Sequence, residues 1–206
     1  MSSKVEKDDD ISPEDVNAFC AFADEFKNES DRAAVILGAA KIDLILHEIL
    51  RRFLVATPTG QDELLDGDAP LATFSSRINI VYRLGLIDAG FTRALHLIRR
   101  IRNAFAHDLS GCKLGAGAHA DRVRELYAPF SKFKRSAKWH QLFFKEHSGK
   151  SAEFRIALAA MVARLEGIRD HLTPLDTSRS RNLIPSDWDD DVSAEQNLGG
   201  DIEAKQ

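Results

Sequence analysis

Residues 32–55 read RAAVILGAAKIDLILHEILRRFLV, and the reading of this stretch decides the fold class. Ile42, Ile45, Leu46, Ile49, Leu50 and Phe53 recur at three- and four-residue spacing and fill one half of a helical wheel. Lys41, Asp43, His47, Glu48, Arg51 and Arg52 fill the other half. At ~1.5 Å per residue the helix is roughly 35 Å long, enough to be the spine of a small bundle. Asp43 and His47 stand four residues apart, as do Glu48 and Arg52, so local ion pairing accounts for these charges without any site. His47 lacks a second ligand at helical spacing and does not read as a metal site.

Working outward, Asn28-Glu29-Ser30-Asp31 breaks and re-caps the chain ahead of this helix. Ser12-Pro13-Glu14-Asp15 starts an earlier one: a hydroxyl cap, Pro at the first helical position, then acids beside the positive dipole end. Val16, Phe19, Cys20, Ala23 and Phe26 carry it to about Lys27, which makes Cys20 a packed thiol rather than a nucleophile. Downstream, Thr57-Pro58-Thr59-Gly60 ends the long helix. Asp66-Gly67-Asp68 resembles a fragment of a calcium loop but lacks the remaining ligands, so it reads as a turn, with Asp68 or Thr73 capping the next helix.

Phe74, Ile78, Val81, Tyr82 and Leu84 mark a short helix stopped by Gly85. Asp88 caps another, with Phe91, Leu95, Ile98, Ile101 and Phe105 on its buried side. A glycine-rich loop spans 110–117. Residues 119–147 are helical in places and broken by Pro129, and a last strong helix spans about 151–172. No alternating β-branched run is long enough for a strand. The expectation is an all-α, single helical bundle of five to six helices over residues 12–173, without internal repeats.

Composition narrows the class. The 206 residues are 44% apolar and 29% charged, ordinary for a globular chain and too apolar for full disorder. No stretch approaches the ~20 apolar residues of a membrane span, and the acidic start MSSKVEKDDD has no apolar core of a signal peptide. Two cysteines, Cys20 and Cys112, make neither a disulfide framework nor a metal knuckle. The chain reads as cytoplasmic, with no cofactor and no membrane partner. The net charge of −4 is uneven. Residues 1–15 hold two lysines and six acids; residues 174–206 hold Arg179, Arg181 and Lys205 against eight acids, leaving +5 on the body between. Residues 1–11 and 174–206 are expected to be disordered acidic tails.

The chemistry-bearing constellation is Arg99-Arg100-Ile101-Arg102-Asn103-Ala104-Phe105-Ala106-His107. Arg93, Arg99, Arg100 and Arg102 fall in a stretch without an acid. Arg99, Asn103 and His107 share one helical face, whereas Arg102 lies about 140° from His107 and converges with it only if the last turn unwinds. The bland alternative makes Arg102 and Asn103 partners of the helix-end carbonyls and His107 a C-terminal cap.

Arg102, Asn103 and His107 match the Arg-x4-His signature of the HEPN superfamily, to which the chain is similar. Leu64-Leu65-Asp66-Gly67-Asp68-Ala69-Pro70-Leu71, Arg77-Ile78, Tyr82, Leu84-Gly85-Leu86-Ile87 and Ile101–His107 together resemble the mannitol operon repressor family. That closer resemblance covers about residues 64–108. It implies a HEPN-like homodimer and two different functions. One is a regulator of sugar-alcohol operons; because the apolar residues of the helix capped by Asp88 are needed for the core, no helix-turn-helix assembles around Gly85, and regulation by binding another protein is expected. The other is a metal-independent endoribonuclease acting on single-stranded RNA, with His107 as acid/base, Arg102 as phosphate clamp and Asn103 as orienting partner across a dimer cleft.

A second candidate surface begins Phe130-Ser131-Lys132-Phe133-Lys134-Arg135-Ser136-Ala137-Lys138-Trp139 and continues through Phe143, Phe144, Lys145 and Lys150. Lys132, Lys134, Arg135 and Lys138, with Arg99, are the candidate nucleic-acid contacts, since cations interleaved with aromatics hold phosphates and stack bases. The same pattern suits an amphipathic helix whose aromatics are core and whose cations are solvated.

Overall fold

The computed structural model describes residues 12–58, 60–108 and 111–178, with the side chain of Lys134 excepted. Both expected acidic tails lie outside these residues, apart from a few positions at the second one's start. The described residues form seven α-helices and no strand, as an all-α reading requires. The helices are α1 (Pro13–Phe26), α2 (Asp31–Phe53), α3 (Phe74–Arg83), α4 (Ala89–His107), α5 (Gly117–Tyr127), α6 (Lys134–Phe143) and α7 (Gly149–Asp170). The count exceeds five or six because the segment around Pro129 resolves into two helices, α5 and α6, joined by a 3-10 turn at Phe130–Lys132. None of the described helices is long and apolar enough to cross a membrane.

The starts reflect local chemistry. Ser12 Oγ accepts from Asp15 N at 3.0 Å, Ser30 Oγ from Ala33 N at 3.2 Å and Thr73 Oγ1 from Ser76 N at 3.1 Å. Between α3 and α4, Gly85 adopts φ of 75°, a left-handed geometry that a side chain opposes, so the helix stops there.

The spine is shared, not held by α2 alone. α7 buries Phe154, Ile156, Leu158, Met161, Val162 and Leu165 and packs on α1, α2, α5 and α6. α2 lays Ile42, Ile45, Leu46, Ile49 and Leu50 into the same core. The two helices approach closely at Gly38, where an added Cβ would stand 2.3 Å from Leu158 Cδ2. Cys20 packs against the core's edge, as its position on the α1 stripe predicts.

The local ion pairs expected on α2 are replaced by tertiary ones. Asp43 pairs with Arg77 of α3 at 2.9 Å, and His47 Nε2 lies 3.5 Å from Asp66. Glu48 pairs with Arg169 at 3.0 Å and Arg52 with Asp170 at 3.3 Å, both on α7. A helix wheel places these charges correctly but says nothing of which neighbour comes to meet them. The compact body ends at Pro174. In the short described part of the second unit, Ser178 N and Oγ donate to Asp176 at 2.8 and 2.7 Å.

Candidate functional site

Asp88 starts α4 by accepting from Phe91 N at 2.7 Å. The helix buries Leu95, Leu97, Ile98, Ile101 and Phe105 and packs on α2, α3 and α5. Its arginines therefore fall on the edges that the core leaves free. α4 stays helical through His107, and Asp108 N–H still reaches Ala104 O at 3.0 Å. The last turn does not unwind. Arg102 and His107 remain about 140° apart around one axis, and within one chain they do not converge.

The helix end is satisfied by a residue that carries no signal in the sequence. Arg32 of α2 donates from Nη1 to Phe105 O at 2.7 Å and from Nη2 to Asp108 O. Those carbonyls are therefore capped across 73 and 76 positions of sequence, not by Arg102, Asn103 or His107. Arg102 instead donates from Nη1 to Asn103 Oδ1 at 3.1 Å, which holds the guanidinium beside the amide. His107 is exposed at the end of the helix.

Arg99, Arg102 and Asn103 line a cavity of about 470 Å³ bounded by α2, the first turn of α3, and α4. His107 is not among its lining residues. Arg77 forms part of the wall but is already engaged. Its Nε donates to Leu71 O at 3.0 Å, its Nη1 to Asp43 at 2.9 Å and its Nη2 to Leu65 O at 3.5 Å. Arg77 thus ties the turn after α2 to the helix itself. Arg99 is different: its Nε is buried and has no hydrogen-bond partner.

Titration reflects the same crowding. His96, one turn before Arg99 and Arg100, is held below its ordinary 6.5 by burial and then by those two cations. Asn79 Oδ1 stands 3.1 Å from its Nε2.

The aromatic and basic segment divides by side. Trp139 and Phe144 are buried, and Trp139 stacks on Phe19 of α1 with ring centroids 4.1 Å apart. These rings fill the core and are unavailable to bases. Lys132 and Lys138 are exposed, Arg135 is half-buried, and the side chain of Lys134 lies outside the described part. Phe133 alone of the segment's aromatics is largely exposed, at 40%.

One cluster had no periodic signal to announce it. Cys112 Sγ lies 3.0 Å from Asp108 Oδ2 and 3.8 Å from His119 Nε2, and His119 sits edge-on to Phe105. Donation to Asp108 raises the Cys112 pKa, so the group is a protonated donor and no thiolate nucleophile. Burial, then Arg122, holds the His119 pKa down. No set of three or more His, Cys, Asp or Glu among the described residues has the arrangement of a metal site.

No family model matches the chain, and no solved structure does. Two curated relatives are similar to it: the mannitol operon repressors of Escherichia coli strain K12 and of Escherichia coli O6:H1. Each is 31% identical over 75 residues, which is 36% of this chain. The matched stretch spans 38% of the relatives' own length, and over that stretch this chain is similar to mannitol operon repressors.

Proposed function

We propose that this chain is a regulatory protein resembling the mannitol operon repressors, acting through contact with another protein and not by reading a DNA major groove. The observation that carries the regulatory reading is the 31% identity over 75 residues with relatives of that name. The protein-contact part draws on the packing of α4. The Gly85 turn joins α3 to α4 in the order of a helix-turn-helix, in which the second helix must offer its N-terminal residues on an open outer face to the base edges. Here α4 packs on α2, α3 and α5, and Arg93 near its start pairs with Glu125 of α5. An electrophoretic shift assay with promoter DNA of the regulated genes tests this: no salt-sensitive shift is expected, and a specific one overturns it.

A second reading is favoured by one contact, the 3.1 Å bond that holds Arg102 against Asn103. In a metal-independent HEPN-type endoribonuclease, a neutral His107 would take the proton from an RNA 2′-OH as that oxygen attacks the adjacent phosphorus. The P–O5′ bond would break, leaving a 2′,3′-cyclic phosphate, and the imidazolium would return the proton to the departing 5′-oxygen. Arg102 would fork onto the equatorial oxygens as their charge grows. Because Arg102 and His107 do not meet within one chain, this reading requires two copies whose sites combine in a homodimer cleft. It predicts cleavage of single-stranded RNA in EDTA, abolished by His107→Ala in a protein that stays folded. Intact RNA with the wild-type protein removes it.

A further inference from the structure

We propose that the cavity between α2, α3 and α4 is a binding site for a small organic phosphomonoester, an anionic head on an apolar body. The reading begins with charge. Three arginines line the cavity, and the single acid there, Asp43, is already paired with Arg77 at 2.9 Å. Arg99 and Arg102 are left without a counter-charge in the wall. A guanidinium keeps its charge at any physiological pH, so the imbalance cannot be relieved by deprotonation.

Hydrogen bonding points the same way. Arg102 spends one donor on Asn103, and Arg99 Nε is out of reach of water yet bonded to nothing. A buried donor without a partner costs free energy, so the Arg99 guanidinium gains by turning toward an acceptor held in the cavity. Arg99 and Arg102, three positions apart on α4, offer two planar forks to one tetrahedral anion. Ser75, in the first turn of α3, adds a hydroxyl to the same space.

The apolar side chains of the lining choose the rest of the ligand. Among them are Ala40 and Leu44 of α2 and Phe74 of α3, and Leu44 is 53% exposed in the free protein. Burial of that surface would reward a hydrocarbon or aromatic body. The cavity's 470 Å³ falls in the range of ordinary small-molecule sites. A continuous polynucleotide suits the apolar side chains poorly, which favours a small monoester over RNA. The proposal does not depend on the regulatory reading, because binding here is judged by titration and that reading by transcripts.

Calorimetric titration of the full chain with phenyl phosphate, inorganic phosphate and a short oligoribonucleotide tests it. Phenyl phosphate should bind one to one, and inorganic phosphate several-fold more weakly. Arg99→Gln should weaken phenyl phosphate by about tenfold or more, the loss expected for a charge-assisted hydrogen bond. Ala40→Glu, at an exposed helical position that tolerates Glu, should do the same by placing a carboxylate in the wall. Arg83→Gln, outside the cavity, should change nothing. The proposal is overturned if the wild type does not bind phenyl phosphate, or if both cavity variants keep wild-type affinity. It is equally overturned if inorganic phosphate binds as well as the ester, or if the oligoribonucleotide binds more tightly than either.

Discussion

Arg155 is 1% exposed in the second turn of α7, among residues that are otherwise apolar core. Its Nη1 donates to Asp31 Oδ1 at 2.8 Å and to Ser151 Oγ at 2.6 Å, and its Nη2 donates to Glu29 O. The charge thus ties the start of α2 to α7. Removing the carboxylate leaves an uncompensated cation in the core. Asp31→Ala should therefore cost roughly 3 kcal/mol in urea unfolding, at the low end for a buried pair because Asp31 is itself a third exposed. A loss within ordinary surface variation would contradict the role assigned to it. Histidine titration gives a second prediction. His96 and His119 both titrate below 6.5 in the folded protein, each chiefly through burial. The unfolded chain then binds protons more readily, so stability falls as pH drops through 6.5 towards the folded values and is level above. The melting temperature should track that course, with a shallower fall in His96→Asn and His119→Gln. An unchanged slope in the double variant would contradict it.

The helices themselves are legible in the sequence because their starts are local events. Ser12, Thr73 and Asp88 cap the helices that their positions predict, and the apolar period of residues 42–50 marks the face that α2 buries. Side-chain partnerships are not legible, since they depend on which elements meet. Asp43 turns to Arg77 instead of His47, Glu48 turns to Arg169, and Arg32 reaches the end of α4 from α2. The candidate site divides in the same way. Placing Arg99, Arg102 and Asn103 on α4 needs only its period, but the cavity they line needs α2 and α3 beside them. The α2–α7 crossing yields a test of packing. Alanine is favoured over glycine in a helix by ~1 kcal/mol, whereas forcing a methyl into a filled core costs roughly 1–3 kcal/mol. With Leu158 Cδ2 at 2.3 Å, Gly38→Ala should destabilise by about 1 kcal/mol. In a Leu158→Ala background the same change should stabilise. Additive effects in denaturant unfolding of the four proteins would contradict so close a contact.

At the scale of the whole molecule, a mildly basic helical body presents the arginines of α4 beside a cavity and keeps that helix packed among its neighbours. A regulator working through protein contact has no need of an imidazole as acid/base, whereas a ribonuclease built on His107 cannot act without one. The two readings therefore part at a single side chain. In cells lacking the gene, wild type and His107→Ala are each restored at equal protein level, and the transcripts that change on its loss are counted. The regulatory account predicts that His107→Ala restores those transcripts as fully as the wild type; failure of the folded variant to restore them would contradict it.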